Sequence, residues 1–157
     1  MLRIDRILVP IDFSEPAEQA LDHAAELART YEAQLWLLHV VEEPAFPSFY
    51  GAGAMALYGK LPDLDRRARA ALAERAAGLG ETVRPVQTHV VRGNASASIV
   101  AFAEEQDIDL IVIASRGLSG VRGVLLGSVA EKVVRRAPCP VLVVRGDVKS
   151  LVSGRAA

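Results

Sequence analysis

Short apolar runs alternate with helical patterns along the chain, and this alternation constrains the fold more than any other feature. The runs are Arg6 to Ile11, Leu35 to Val41, Val83 to Val91, Leu110 to Ala114 and Pro140 to Val144. Continuous β-branched and aliphatic residues, as in Arg6 to Ile11, read as strands buried on both faces. The segments between them carry a helical period. Ala17, Leu21, Ala24, Ala28 and Tyr31 recur at spacings of four, three, four and three, which is one helix face. Ser14 before them offers an N-cap, with Pro16 tolerated in the first turn.

A second helix is expected from about Leu64 to Leu79, with Leu64, Ala68, Ala71, Leu72, Ala76 and Leu79 inward. Gly93-Asn94 turns the chain into a third, with Ile99, Phe102 and Ala103 inward. A fourth runs from Ser128 to Arg136 with Val129 and Val133 inward. The third strand alternates apolar and polar residues, which suits a less buried edge. Strand–helix alternation predicts a single-domain α/β fold, with an open, mainly parallel five-stranded sheet and helices on both faces. The expected order is 3-2-1-4-5, because the first strand starts in the middle and the chain must wind out both ways. The domain is expected over residues 1–146, with a C-terminal tail at 147–157.

At 157 residues one core suffices. A net charge of −1 gives no bulk electrostatic footprint for nucleic acid or an anionic membrane. No apolar stretch approaches the roughly 20 residues of a membrane helix. The opening MLRIDRILVPID lacks the pattern of a signal peptide, since Asp12 interrupts its short apolar run. Cys139 is the only cysteine, so no internal disulfide can form, and the cytoplasm is the expected compartment. Glu42 to Pro62 breaks the rhythm with prolines, glycines and the aromatics Phe46, Phe49, Tyr50 and Tyr58. It reads either as a segment that folds over something apolar or as a disordered surface loop.

The stretch IVIASRGLSGVRGVLLGSVAEKVVRRAPCPVLVV, Ile111 to Val144, carries the chemistry. A buried strand runs into a loop with Gly117, Gly120 and Gly123, and the loop ends at Gly127-Ser128 where a helix starts. Glycines let a backbone approach an anion, and a helix start offers N–H groups and a positive dipole end. A nucleotide or other phosphate ester is the leading ligand class. In open α/β sheets, ligands bind at the carboxyl ends of strands where the order reverses. That puts Asp12, at the end of strand one, in the same crevice as the glycine loop after strand four.

Asp12 has two readings. It can accept hydrogen bonds from a base amino group or ribose hydroxyl and help hold Mg²⁺, or it can cap the turn before the first helix. Ser128 can donate to phosphate or cap its helix. Arg116 and Arg122 can pair with phosphate or stand solvated. The loop is neither a P-loop nor a dinucleotide fingerprint. His39, inside an apolar strand, reads as a packed histidine rather than a base; His23 and His89 have no obvious partner. Cys139 reads as a small buried hydrophobe. No cluster has metal-ligand spacing, and no serine sits in a nucleophile elbow.

These residues resemble the universal stress protein family, the small single-domain type. The ATP-binding versions carry G-x2-G-x9-G-[ST]. Here Gly117, nine residues, Gly127 and Ser128 fit it, and LLGSVAEKVVRRAPCPVLVV continues in the family manner. The segments ILVPIDFSEPAEQAL and LLHVVEE are similar to the family's first two strands. The resemblance implies ATP with Mg²⁺ as ligand and a Rossmann-like fold. It places Pro10, Asp12 and Val40 in an adenine and ribose pocket, with Ile113 packing on the base. It likewise implies that Gly117, Gly127, Ser128 and Val129 form the phosphate cradle and that Gly93 lies near the sugar and phosphates.

One position departs from the pattern: the first glycine of the signature is Ala114, whose methyl group narrows a close backbone approach and disfavours positive φ. The family also implies a homodimer through strand 140–144, which would cover the apolar edge Val141-Leu142-Val143-Val144. The expected output is stress-response signalling through protein partners rather than efficient catalysis. Slow ATP hydrolysis, autophosphorylation, and a nucleotide-free or cyclic-nucleotide-binding interaction protein are the competing expectations.

Overall fold

The computed structural model describes residues 1–42, 61–81, 83, 86–117, 126–146 and 152. Most of the aromatic stretch between Glu42 and Pro62, Gly120, Arg122, Gly123 and nearly all of the tail lie outside them. In chain order the elements are β1 (Arg6–Pro10), α1 (Glu15–Tyr31), β2 (Gln34–Glu42), α2 (Leu61–Gly78), β3 (Val86–Gly93), α3 (Ala95–Glu105), β4 (Leu110–Ala114), α4 (Ser128–Arg136) and β5 (Val141–Val144). The strands form one five-stranded sheet in the order β3-β2-β1-β4-β5, every pair parallel.

Side-chain alternation along the central strands builds two cores. Ile7, Val9, Leu35, Leu37 and Val112 pack with the alanine face of α1 and with Leu72 of α2. Leu8, Leu38, Ile111 and Ile113 pack with Ile99 and Phe102 of α3 and Val133 of α4. Each fully buried aliphatic side chain contributes about 1.5–3 kcal/mol by leaving water.

Caps fix the helix starts. The Ser14 hydroxyl accepts from the Ala17 N–H at 3.4 Å, and the Asn94 side chain accepts from the Ala97 N–H at 3.1 Å. At the end of α1, Glu32 adopts φ 54° and its N–H bonds the Ala28 carbonyl. This turn leaves Tyr31, expected inward, 38% exposed at the last position of the helix. Leu64, also expected inward, is 44% exposed because the first turn of α2 overhangs the strand ends. The third strand starts at Val86 rather than Val83; Val83 is buried but stands outside the ladder. Cys139 is half-buried, in the surface connection between α4 and β5, and packs beside the second core.

The ladders explain where the sheet opens. β1 pairs with β2 as far as Pro10 and Leu38, and β4 pairs with β5 as far as Ala114 and Val144. The β1–β4 ladder covers only Ile7 with Leu110 and Leu8 with Ile111. The two central strands therefore part toward their carboxyl ends, at the point where strand order reverses. No helix among the described residues is long and apolar enough to cross a membrane.

Candidate functional site

The parted strand ends open into a cleft of about 710 Å³. Pro10 and Asp12 reach it from β1 and its turn, Val40 from β2, and Ile113 and Ala114 from β4. Arg116, Gly117, Gly127, Ser128 and Val129 line its other side. Gly93 does not line the cleft. It ends β3 with φ 141°, a conformation that suits glycine, and a Cβ there would meet Ser98 Oγ at 3.0 Å. Ala95, at the start of α3, lines the cleft instead.

Asp12 braces the turn before α1 and also lines the cleft. Its Oδ1 accepts from the Ser14 N–H at 3.0 Å and from the Ser14 hydroxyl at 2.5 Å, so the carboxylate braces the turn into α1. Its Oδ2 reaches across to Gly117, where a Cβ would lie well inside van der Waals contact of it. The backbone at position 117 therefore comes close to a carboxylate from the far strand because position 117 has no side chain.

The glycine segment is tied to the sheet at its far end. The Ser115 N–H donates to the Val144 carbonyl at 2.8 Å, and the Gly127 N–H donates to the Ser115 carbonyl at 2.6 Å. A Cβ at Gly127 would meet that same carbonyl oxygen at 3.3 Å. Gly127 is the N-cap of α4 and offers no side-chain cap to the first turn. Ser128, Val129 and Ala130 of that turn line the cleft, where a helix start leaves N–H groups without intrahelical partners. An anion would meet these groups and the positive end of the helix dipole. Arg116 stands half-buried beside them.

Ala114 sits in extended backbone within β4, 8% exposed and packed in the first core. Non-glycine residues with positive φ are Phe13, Glu32 and Asp107 among the described residues, so the alanine is under no backbone strain. A glycine is not required there by chain conformation.

Sequence reasoning missed one wall of the cleft. Leu64, Arg67, Ala68 and Ala71 of α2 line it, as do Phe13 and His39. Helical spacing marks an apolar face but does not say that its first turns overhang a cleft. His39 is packed as expected, yet its packing lies at the cleft: Nδ1 is 2.7 Å from the Ile11 carbonyl oxygen. His23 and His89 both have partners. His23 Nδ1 lies 2.8 Å from the Gln19 carbonyl, and the His89 ring stacks on Trp36 at 5.2 Å. Among the described residues, no group of three or more His, Cys, Asp or Glu could hold a metal ion.

Comparison with known proteins places this geometry. Residues 3–145 match the universal stress protein family. The universal stress protein MJ0531 of Methanocaldococcus jannaschii is 34% identical over 144 residues, covering 92% of this chain and 84% of the relative. The solved structure of the universal stress protein UspA from Lactobacillus plantarum superposes with a TM-score of 0.82 at 29% identity, covering 92% of this chain and 100% of that one. A universal stress protein solved in complex with cAMP has a TM-score of 0.63 at 26% identity, covering 91% of this chain and 98% of that one. With its parallel sheet, its cleft at the switch point and its glycine segment, the chain belongs to the universal stress protein family.

Proposed function

We propose that this protein binds ATP in the cleft between β1 and β4 and works as a stress-response signalling module rather than an efficient enzyme. The observation that carries the reading is the convergence of Asp12 and the glycine segment. Asp12 Oδ2 packs against Gly117, and the same segment ends at the uncapped start of α4. Apolar Pro10, Val40 and Ile113 suit a base, Asp12 suits a ribose hydroxyl, and Gly117, Gly127, Ser128, Val129 and Arg116 suit phosphates. The relative solved with cAMP supports an adenine nucleotide as the ligand class.

Mg²⁺ fits only as a companion of the nucleotide. Asp12 and Glu42 are the carboxylates among the described cleft residues, and Mg²⁺ is ordinarily held by one or two carboxylates together with phosphate oxygens and waters. Asp12 is the residue that would share it.

Slow hydrolysis is the weaker reading. Asp12 is engaged by Ser14, and no lysine is among the described residues lining the cleft. Phosphate release that is no faster than that of Asp12→Ala would remove hydrolysis altogether. A cyclic nucleotide is the second ligand reading, favoured by the same cAMP complex. The test is to purify the protein without added nucleotide, denature it, and identify what is released. Near-stoichiometric ATP supports the reading. An empty protein that also ignores added Mg-ATP but takes up cAMP would replace ATP by the cyclic ligand.

A further inference from the structure

His39 touches both chain neighbours of Asp12. Its Nδ1 lies 2.7 Å from the Ile11 carbonyl oxygen, and its ring centroid lies 4.5 Å from that of Phe13. A carbonyl only accepts, so Nδ1 carries the proton and donates. Ile11 is also held from the other direction, its N–H donating to the Leu38 carbonyl at 2.8 Å. Phe13 adopts φ 65°, a left-handed conformation that is an outlier for a bulky side chain. Such a conformation persists only where its surroundings enforce it.

Two groups pack on the Phe13 ring. One is the His39 imidazole. The other is the Arg75 guanidinium, 4.7 Å from the Phe13 ring centroid. Arg75 is itself fixed by Glu18 Oε1 at 2.5 Å and by the Ala71 carbonyl at 3.0 Å. Asp12 thus stands between two residues that His39 contacts.

We infer that His39 is the positioning residue for the Asp12 carboxylate: by holding Ile11 and Phe13 it sets the turn that aims Asp12 at Gly117 and the ligand. The inference deepens the nucleotide reading of the cleft and rests on it for the ligand, but not for the position of Asp12.

The two contacts of His39 can be separated. Asparagine carries an N–H near the place of Nδ1 but no ring, whereas leucine supplies neither. His39→Leu is expected to weaken ATP binding about tenfold, the effect of one misaligned hydrogen bond from the ligand to the Asp12 carboxylate, and His39→Asn to recover part of it. In an Asp12→Ala background, His39→Leu is expected to have no further effect. Equal weakening with and without Asp12, or none in either, would overturn the inference.

A second readout needs no ligand. The carboxyl ¹³C resonance of Asp12 is expected to move in His39→Leu and to return toward its original position in His39→Asn. An unmoved resonance would sink the positioning role whatever the protein binds. A moved resonance in a chain that binds no ATP would sink the nucleotide reading and leave the positioning role standing. If His39→Leu does not fold, His39→Gln replaces it, because its amide reaches toward the place of Nε2 instead of Nδ1.

Discussion

The carboxylate of Asp12 packs so closely over Gly117 that position 117 has no room for a Cβ. The two residues come from opposite central strands and are more than a hundred positions apart, yet each fixes the other's environment. Oδ1 of the same carboxylate is tied to Ser14, so Asp12 is not a loose chain end that swings aside freely. Gly117→Ala is expected to push Asp12 out of place and lower ATP affinity about tenfold, with stability changed by about 1 kcal/mol or less. Calorimetric titration and a thermal melt read the two effects separately. A control is Gly78→Ala at the end of α2, where an added Cβ meets nothing within 4 Å. It should leave affinity alone and stabilise the chain by about 0.5 kcal/mol. Unchanged ATP affinity in Gly117→Ala would remove Asp12 from the binding site.

Ala114 is the residue at which the chain departs from its family's glycine signature. Its backbone is extended and paired in register with Val144, and its methyl group is buried in the first core. Ala114→Gly therefore gains no conformational freedom that the site uses. It is expected to cost about 1 kcal/mol of stability through the lost methyl and the looser unfolded chain. ATP affinity should stay within about threefold, a difference below 1 kcal/mol. A gain of a hundredfold would mean instead that the alanine had disabled the cradle.

The alternation of apolar runs was enough to read the strand order, because a first strand that enters the middle of a parallel sheet leaves few ways to wind outward. Asp12 and the glycine segment were legible for a related reason: both sit at carboxyl strand ends, where the order reverses. Phe13 was not legible. Nothing in a phenylalanine announces φ 65°, and its ring partners His39 and Arg75 are distant in sequence. The face of α2 was legible, with Ala68 and Leu72 buried as expected, but its place at the cleft was not, since helical spacing gives a face but not what that face meets. Gly93, assigned near the ligand by family likeness, ends β3 with a positive φ that its sequence position did not announce, two residues before Ala95, which lines the cleft.

His89 makes stability depend on pH. Its Nε2 is buried without a hydrogen-bond partner, and its ring lies 5.2 Å from that of Trp36 and 5.0 Å from that of Phe102. Burial first, and the charge of Arg69 second, push its pKa below the ordinary 6.5. The unfolded chain takes up the proton near pH 6.5, while the folded chain resists it until a lower pH. Between those values the unfolded state binds more protons, so stability rises with pH across the window. Stability is expected to fall as pH drops below the ordinary value, and to level off once the folded imidazole is protonated. Urea midpoints taken from about pH 7.5 to about pH 5 should show this slope in the wild type. His89→Leu should flatten it, and an equal slope in both proteins would assign the effect to other groups.

The last strand of the sheet bears on assembly. Among the described residues no strand pairs with β5 on its outer side, and Leu142 on it is 40% exposed. An edge strand carrying Val141, Leu142 and Val143 is a template for pairing, and pairing with a second copy of the same strand covers it by twofold symmetry. The wild type is expected to sediment at twice the chain mass, and Leu142→Glu at the chain mass, since like charges facing each other across the twofold axis oppose pairing. Leu142 does not line the cleft, so the variant should still bind ATP. A wild type that sediments as a monomer at tens of micromolar would remove the strand as an interface. A Leu142→Glu protein that remains dimeric would move the interface to another face of the molecule.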